Sequence, residues 1–199
     1  MNRRTFLYKT FYTCSALSFG KDLFHISKAF ANSGDDDLRT KVAIKETNLK
    51  FVQPLKNRFK TNLIVIHHVG NTDVDVSSEE IHKWHLANGW AGIGYHYVIR
   101  KDGTIERGRP RDTIGAHSYG HNKTSIGINL VGNFEIATPK PAQIESAAYL
   151  VAYLCNTYKL TPSKSTVRGH KDLNYDTLCP GKNLYNQLQD IRTKAFIYA

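Results

Sequence analysis

Three cysteines in 199 residues are too few for a disulfide scaffold, so the chain must hold its fold with an apolar core. Long apolar runs are also missing. The stretch from Phe11 to Phe19 is soon interrupted by Lys21, Asp22, His25 and Lys28, which makes it too short and too polar to span a bilayer as a helix. No internal repeat is present, which sets aside a repeat architecture. Acidic residues are scarce, 17 against 27 Lys and Arg, and the net charge of +10 calls for an anionic partner: nucleic acid, a membrane surface or an acidic polymer such as a cell wall. There is no long Lys/Arg run, no nucleic-acid-binding signature and no basic stripe interleaved with aromatics, so nucleic acid is set aside as the primary partner. The 41% hydrophobic content supports one domain with a real core, plus a tail.

The first 31 residues have the pattern of an export signal. Arg3 and Arg4 are followed by Phe6 and Leu7, as in twin-arginine signals, and the small-x-small end Ala29-Phe30-Ala31 suits cleavage. These residues hold five Lys/Arg and one Asp, so their removal leaves a net charge of +6 on a protein expected outside the cytoplasm, in a periplasm or beyond. The alternative is an amphipathic N-terminal helix that stays attached. Residues 32–51 open with "NSGDDD", show no sustained period, and read as a linker or arm.

Organised sequence follows over residues 52–195, with 196–199 as a tail. "NLIVIHH" (62–68) is a β-branched run of strand length ending in His67 and His68. "SSEEIHKWHLANG" pairs Ser77 with Glu80 in a capping box and sets Ile81, Trp84 and His85 on one helix face. "GYHYVIR" and "TIERG" flank Asp102 and Gly103 as a hairpin, and "SIGINLVG" is a further strand. Ile144, Ala147, Ala148, Val151, Leu154, Cys155 and Tyr158 recur at helical spacing, which makes Cys155 a buried structural thiol. A short strand "TVRGH" and a last helix through Leu184, Leu188 and Ile191 complete an α/β domain around a central mixed sheet flanked by helices.

His67, His170 and Cys179 are the candidate metal ligands. Each histidine closes a strand-like run, and Cys179 follows in "GHKDLNYDTLCPG". Two imidazoles and a thiolate suit Zn²⁺, and three protein ligands leave a fourth position open, as catalytic sites require. His68, His96 and His117 are near enough in pattern to complete a closed structural site instead, so composition leaves both arrangements open.

The order "IVIHHVGN", "GWAGIGYHYVIRKDGTIERGRP", "IGAHSYGHNKTSIGINLVGNF", "TPKPAQIESA" and "GHKDLNYDTLCPG" resembles the zinc-dependent N-acetylmuramoyl-L-alanine amidases. That group includes amidase-type phage lysozymes and peptidoglycan recognition proteins. The resemblance implies a peptidoglycan recognition protein-like fold, one zinc ion on His67, His170 and Cys179, and peptidoglycan or muropeptides as partner. It implies catalytic roles for Tyr95 and for Thr177, two residues before the cysteine. His117 falls where the family lines its substrate groove; His68, His96 and His117 are expected there or as donors that orient the ligands. Two features depart from the family. The His170 to Cys179 stretch is one residue longer than usual, and Asn129 stands where distant anhydromuropeptide amidases carry a catalytic Glu. The alternative is a peptidoglycan-binding module without chemistry, a fate that loss of the Cys ligand usually marks in this family; Cys179 is present.

Overall fold

β-Branched residues on both faces of one strand need cover on both sides, and the computed structural model, which describes Leu38 and residues 41–199, provides it. The expected export segment lies outside the described residues. Six strands form one mixed sheet: β1 (Ile44–Lys45), β2 (Leu63–His68), β3 (Tyr97–Ile99), β4 (Ile105–Arg107), β5 (Ser125–Leu130) and β6 (Val167–Gly169). Their order is β1-β4-β3-β5-β2-β6. Only β3 and β4 run antiparallel; β2, β5 and β6 are mutually parallel at the centre and one edge. Three α-helices of the described residues pack on the sheet: α1 (Ser78–Ala87), α2 (Pro141–Tyr158) and α3 (Lys182–Tyr198).

Period-two alternation divides the core. Ile64 and Ile66 of β2, Ile126, Ile128 and Leu130 of β5, and Tyr97 and Ile99 of β3 join α2 and α3 in the larger cluster. Val98 points the other way and packs with Ile81 of α1, Val76, Ile93 and Val131 in a smaller one. Each fully buried Ile or Leu contributes about 1.5–3 kcal/mol relative to exposure. Cys155 is fully buried on α2.

The α1 capping box forms: Ser77 Oγ accepts the Glu80 amide at 3.2 Å, and Glu80 Oε2 accepts the Ser77 amide at 2.8 Å. Buried Glu106 of β4 accepts the Ser78 amide at 2.7 Å, which fastens the start of α1 to the sheet. In the β3–β4 turn, Gly103 takes φ +92° and Asp102 Oδ1 accepts the Thr104 amide at 2.8 Å, the local chemistry that the sequence supplies.

Two boundaries differ from the sequence reading. Within the segment read as linker or arm, Ile44 and Lys45 pair in parallel with Ile105 and Glu106, and Leu38 and Val42 are buried in the larger core. A two-residue strand is too short to leave a period. The residues read as a C-terminal tail continue α3 to Tyr198, whose ring stacks on Tyr149 at 4.2 Å and whose hydroxyl donates to Glu145 at 2.5 Å.

Candidate metal centre

β2 and β6 are parallel neighbours, so their carboxyl ends open on the same edge of the sheet, the usual place for a site in such sheets. His67 is the fifth residue of β2, and His170 begins a 3₁₀ turn (His170–Asp172) directly after β6. The chain then loops out and returns, and the Lys171 amide donates to the Cys179 carbonyl at 2.8 Å. That bond closes the loop and sets its flanking residues, His170 and Cys179, side by side. One ligand atom from each of His67, His170 and Cys179 lies within 4.8 Å of the others. Cys179 Sγ is 3.6 Å from His67 Nδ1, and the His67 and His170 ring centroids are 4.5 Å apart.

The hydrogen bonds decide which nitrogen His67 presents. Ser125 donates its hydroxyl proton to the His121 carbonyl at 2.8 Å, because a carbonyl can only accept. Ser125 Oγ must therefore accept from His117 Nε2, 3.3 Å away. His117 Nδ1 is then the acceptor in its 3.0 Å contact with His67 Nε2. His67 carries its proton on Nε2, and its Nδ1 lone pair faces Cys179. Gly127 makes room for this relay, since a Cβ there would lie 2.6 Å from the His117 ring.

Burial holds His67 and His117 well below the ordinary imidazole range, with the neighbouring imidazoles adding to the effect. His170 is lowered mainly by burial as well. Burial pushes the Cys179 thiol up to about 12, against a smaller opposing effect from the His68 backbone amide. The centre thus offers two neutral imidazoles and a thiol that gives up its proton only to a cation. This donor set fits zinc, and among the described residues no fourth His, Cys, Asp or Glu joins the group.

A cleft of about 620 Å³ runs past the group; Tyr95, His117, His170 and Thr177 line it. The Tyr95 ring centroid is 5.0 Å from that of His67, and Thr177 Oγ1 accepts the Cys179 amide at 3.1 Å. Two residues expected at the substrate groove do not line it. His68 follows His67 in a strand and so faces the other side, where its Nδ1 accepts the Phe134 amide at 3.1 Å. His96 is fully buried with both ring nitrogens engaged: Nδ1 accepts the Gly127 amide at 3.0 Å and Nε2 donates to the Thr113 carbonyl at 2.9 Å. Cleft residues that the sequence reading did not single out include Trp90, Ser118, Tyr119, Asn122, Asn174 and Asp176. Ser118, Asn122, Asn174 and Asp176 are turn-type polar residues, which carry no signal that separates them from an ordinary loop.

The buried histidines make stability depend on pH. Burial lowers His96 from an ordinary 6.5 to about 3, helped by the Arg58 guanidinium, and burial lowers His68 to about 4. Below pH 6.5 the unfolded chain takes up protons that the folded one refuses, so this stability is complete above 6.5 and is lost as pH falls toward 4 and 3. The Tm of metal-free protein should therefore change little between about pH 7 and 8 and drop steadily below 6.5. A Tm that is constant from pH 7 to 5 would show that these rings are not buried neutral.

The comparisons with known proteins agree with this geometry. A family model described as N-acetylmuramoyl-L-alanine amidase matches residues 57–182. An endolysin of Klebsiella phage KP32 is 35% identical over 133 residues, covering 64% of this chain and 85% of the phage protein. The N-acetylmuramoyl-L-alanine amidase LysC from Clostridium intestinale URNW superposes with a TM-score of 0.69 at 39% identity, covering 76% of this chain and 96% of LysC. The ectodomain complex of peptidoglycan recognition proteins LCa and LCx, solved with bound tracheal cytotoxin, matches at 27% identity and a TM-score of 0.66, over 74% of this chain and 95% of that one. With the matched region spanning His67, Tyr95, His117, His170 and Cys179, the chain belongs to the N-acetylmuramoyl-L-alanine amidase family and is a peptidoglycan amidase.

Proposed function

We propose that this amidase is zinc-dependent and that it hydrolyses the amide between the lactyl group of N-acetylmuramic acid and the L-alanine of the stem peptide, outside the cytoplasm. The observation that carries the zinc reading is the convergence of His67, His170 and Cys179 within 4.8 Å beside the cleft. Zinc held there supplies Lewis acidity and makes a strong oxygen nucleophile available near neutral pH. The protein's own groups bind, orient and donate. Burial, and secondarily the Cys179 sulfur, push the Tyr95 phenol above its ordinary range, so it stays protonated and can donate to the oxygen of a carbonyl under attack. Thr177 receives the Cys179 amide on its oxygen, which leaves its own O–H free to donate at the cleft wall.

Asn129 is in register with His67 on the neighbouring strand and is fully buried. It offers no carboxylate, so a general base of that kind is unavailable from β5. Purified protein is expected to carry one zinc per chain and to release stem peptide from muropeptides, with chelation abolishing release. Full activity in metal-stripped protein would refute the zinc reading. The location outside the cytoplasm rests on Arg3, Arg4 and the Ala29-Phe30-Ala31 boundary. Among the described residues no helix is long and apolar enough to cross a membrane. N-terminal sequencing of the native protein should begin near Asn32; an intact Met1 in a cytoplasmic fraction would reject export.

A further inference from the structure

The stretch from His170 to Cys179 contains a residue whose side chain has a partner at each polar atom. The amides of Leu173 and Asn174 both donate to the His170 carbonyl at 3.0 Å. The chain therefore turns back and sets the Asn174 side chain beside the His170 ring. Asn174 Oδ1 lies 3.1 Å from His170 Nε2 and accepts the Ser118 hydroxyl at 2.7 Å, while Nδ2 donates to the Tyr119 carbonyl at 3.2 Å.

These partners fix the orientation of the amide. The Tyr119 carbonyl cannot donate, so the amide nitrogen must face it; the reverse orientation would set oxygen against oxygen. The amide oxygen is thereby directed at Ser118 and at His170. An acceptor facing Nε2 requires the proton there, which leaves the His170 lone pair on Nδ1. His67 reaches the same state through His117. His117 directly precedes Ser118 and Tyr119, so one short segment is connected to the partners of both histidines.

We propose that Asn174 is a positioning residue of the metal centre: its carboxamide oxygen holds His170 as the tautomer with a free Nδ1, and its nitrogen ties the loop between the ligands to Ser118–Tyr119 across the cleft. This rests on reading His67, His170 and Cys179 as zinc ligands. Partners of this kind, one shell out from a metal, typically change affinity by about 10–100-fold when removed.

The test compares Asn174→Leu, which keeps the volume and loses the acceptor, with Asn174→Asp, which keeps an oxygen toward His170 and Ser118. Zinc affinity is measured by chelator competition, ligand geometry by the absorption bands of the cobalt-substituted protein, and the His170 ring by ¹⁵N NMR of metal-free protein. Asn174→Leu is expected to bind zinc about 10–100-fold more weakly, with altered cobalt bands and a shifted His170 Nε2 signal, while the metal-free protein stays folded with a Tm lower by only a few degrees. Asn174→Asp keeps the acceptor but sets a carboxylate oxygen against the Tyr119 carbonyl, so it should keep the His170 ring signals and lose clearly less zinc affinity than Asn174→Leu. If Asn174→Leu does not fold, Asn174→Ala takes its place with the same expectations. Parental zinc affinity and unchanged His170 signals in the Leu or Ala variant would overturn the proposal alone, as would equal losses in Leu and Asp, which would reduce Asn174 to loop packing. A parent protein that binds no zinc would overturn the metal reading itself, and this inference with it.

Discussion

Cys179→Ala is expected to strip the protein of zinc and of amide hydrolysis together, while leaving it folded and still bound to insoluble peptidoglycan. The sulfur stands 3.6 Å from His67 Nδ1 and is the only ligand of the three that becomes anionic. Removing it leaves two neutral imidazoles to hold a doubly charged ion, so the loss should exceed by far the 10–100-fold typical of residues that merely orient ligands. The cleft residues Tyr95, His117 and Trp90 remain, so retention on cell wall should survive. Cys155→Ala is the control. It trims a fully buried side chain on α2, and should lower stability by about 1 kcal/mol with zinc stoichiometry unchanged. Full zinc and full hydrolysis in Cys179→Ala would remove the proposed centre, and a wild-type protein that binds wall without hydrolysing it would favour the binding module.

Tyr95→Phe should separate chemistry from metal binding. The phenylalanine ring can keep the packing against His67, 5.0 Å between centroids, and neither ligand geometry nor the fold depends on the hydroxyl. What is lost is one donor already in place at the cleft. Removing a single preorganised oxyanion donor typically costs about 2.7–4 kcal/mol of transition-state stabilisation, or about 10²–10³ in turnover. The loss should fall on kcat with KM little changed, because the interaction strengthens only as charge develops. Unchanged turnover with zinc bound would make Tyr95 a packing residue.

The sequence carries the parts of this fold that rest on local pattern. The β-branched run of β2, the Ser77–Glu80 box, the Asp102–Gly103 turn and the stripe along α2 each express a preference that the tertiary structure keeps. β1 escapes notice because only Ile44 and Lys45 pair. For His67 and His68 the signal lies in the doublet itself: adjacent residues in a strand face opposite sides, so only one of the two rings can reach a given face. His96 was indistinguishable from a groove residue until the Gly127 amide and the Thr113 carbonyl were seen to occupy both its nitrogens. The arrangement around Asn174 could not be read in advance, since it depends on a carbonyl contributed by Tyr119, 55 positions away.

The separation between His67 and Cys179, 112 positions, bears on what a bound metal adds. The two meet only after β6 has paired beside β2, and that pairing closes one of the longer loops in the chain. Closing such a loop costs about 4–5 kcal/mol, which strand pairing and the apolar core beneath it can offset without a bound ligand. The fold itself therefore brings the two side chains together, and a metal bound there would add its binding free energy to a domain that the core already holds. Metal-free protein should accordingly stay folded, with a lower Tm than the loaded form.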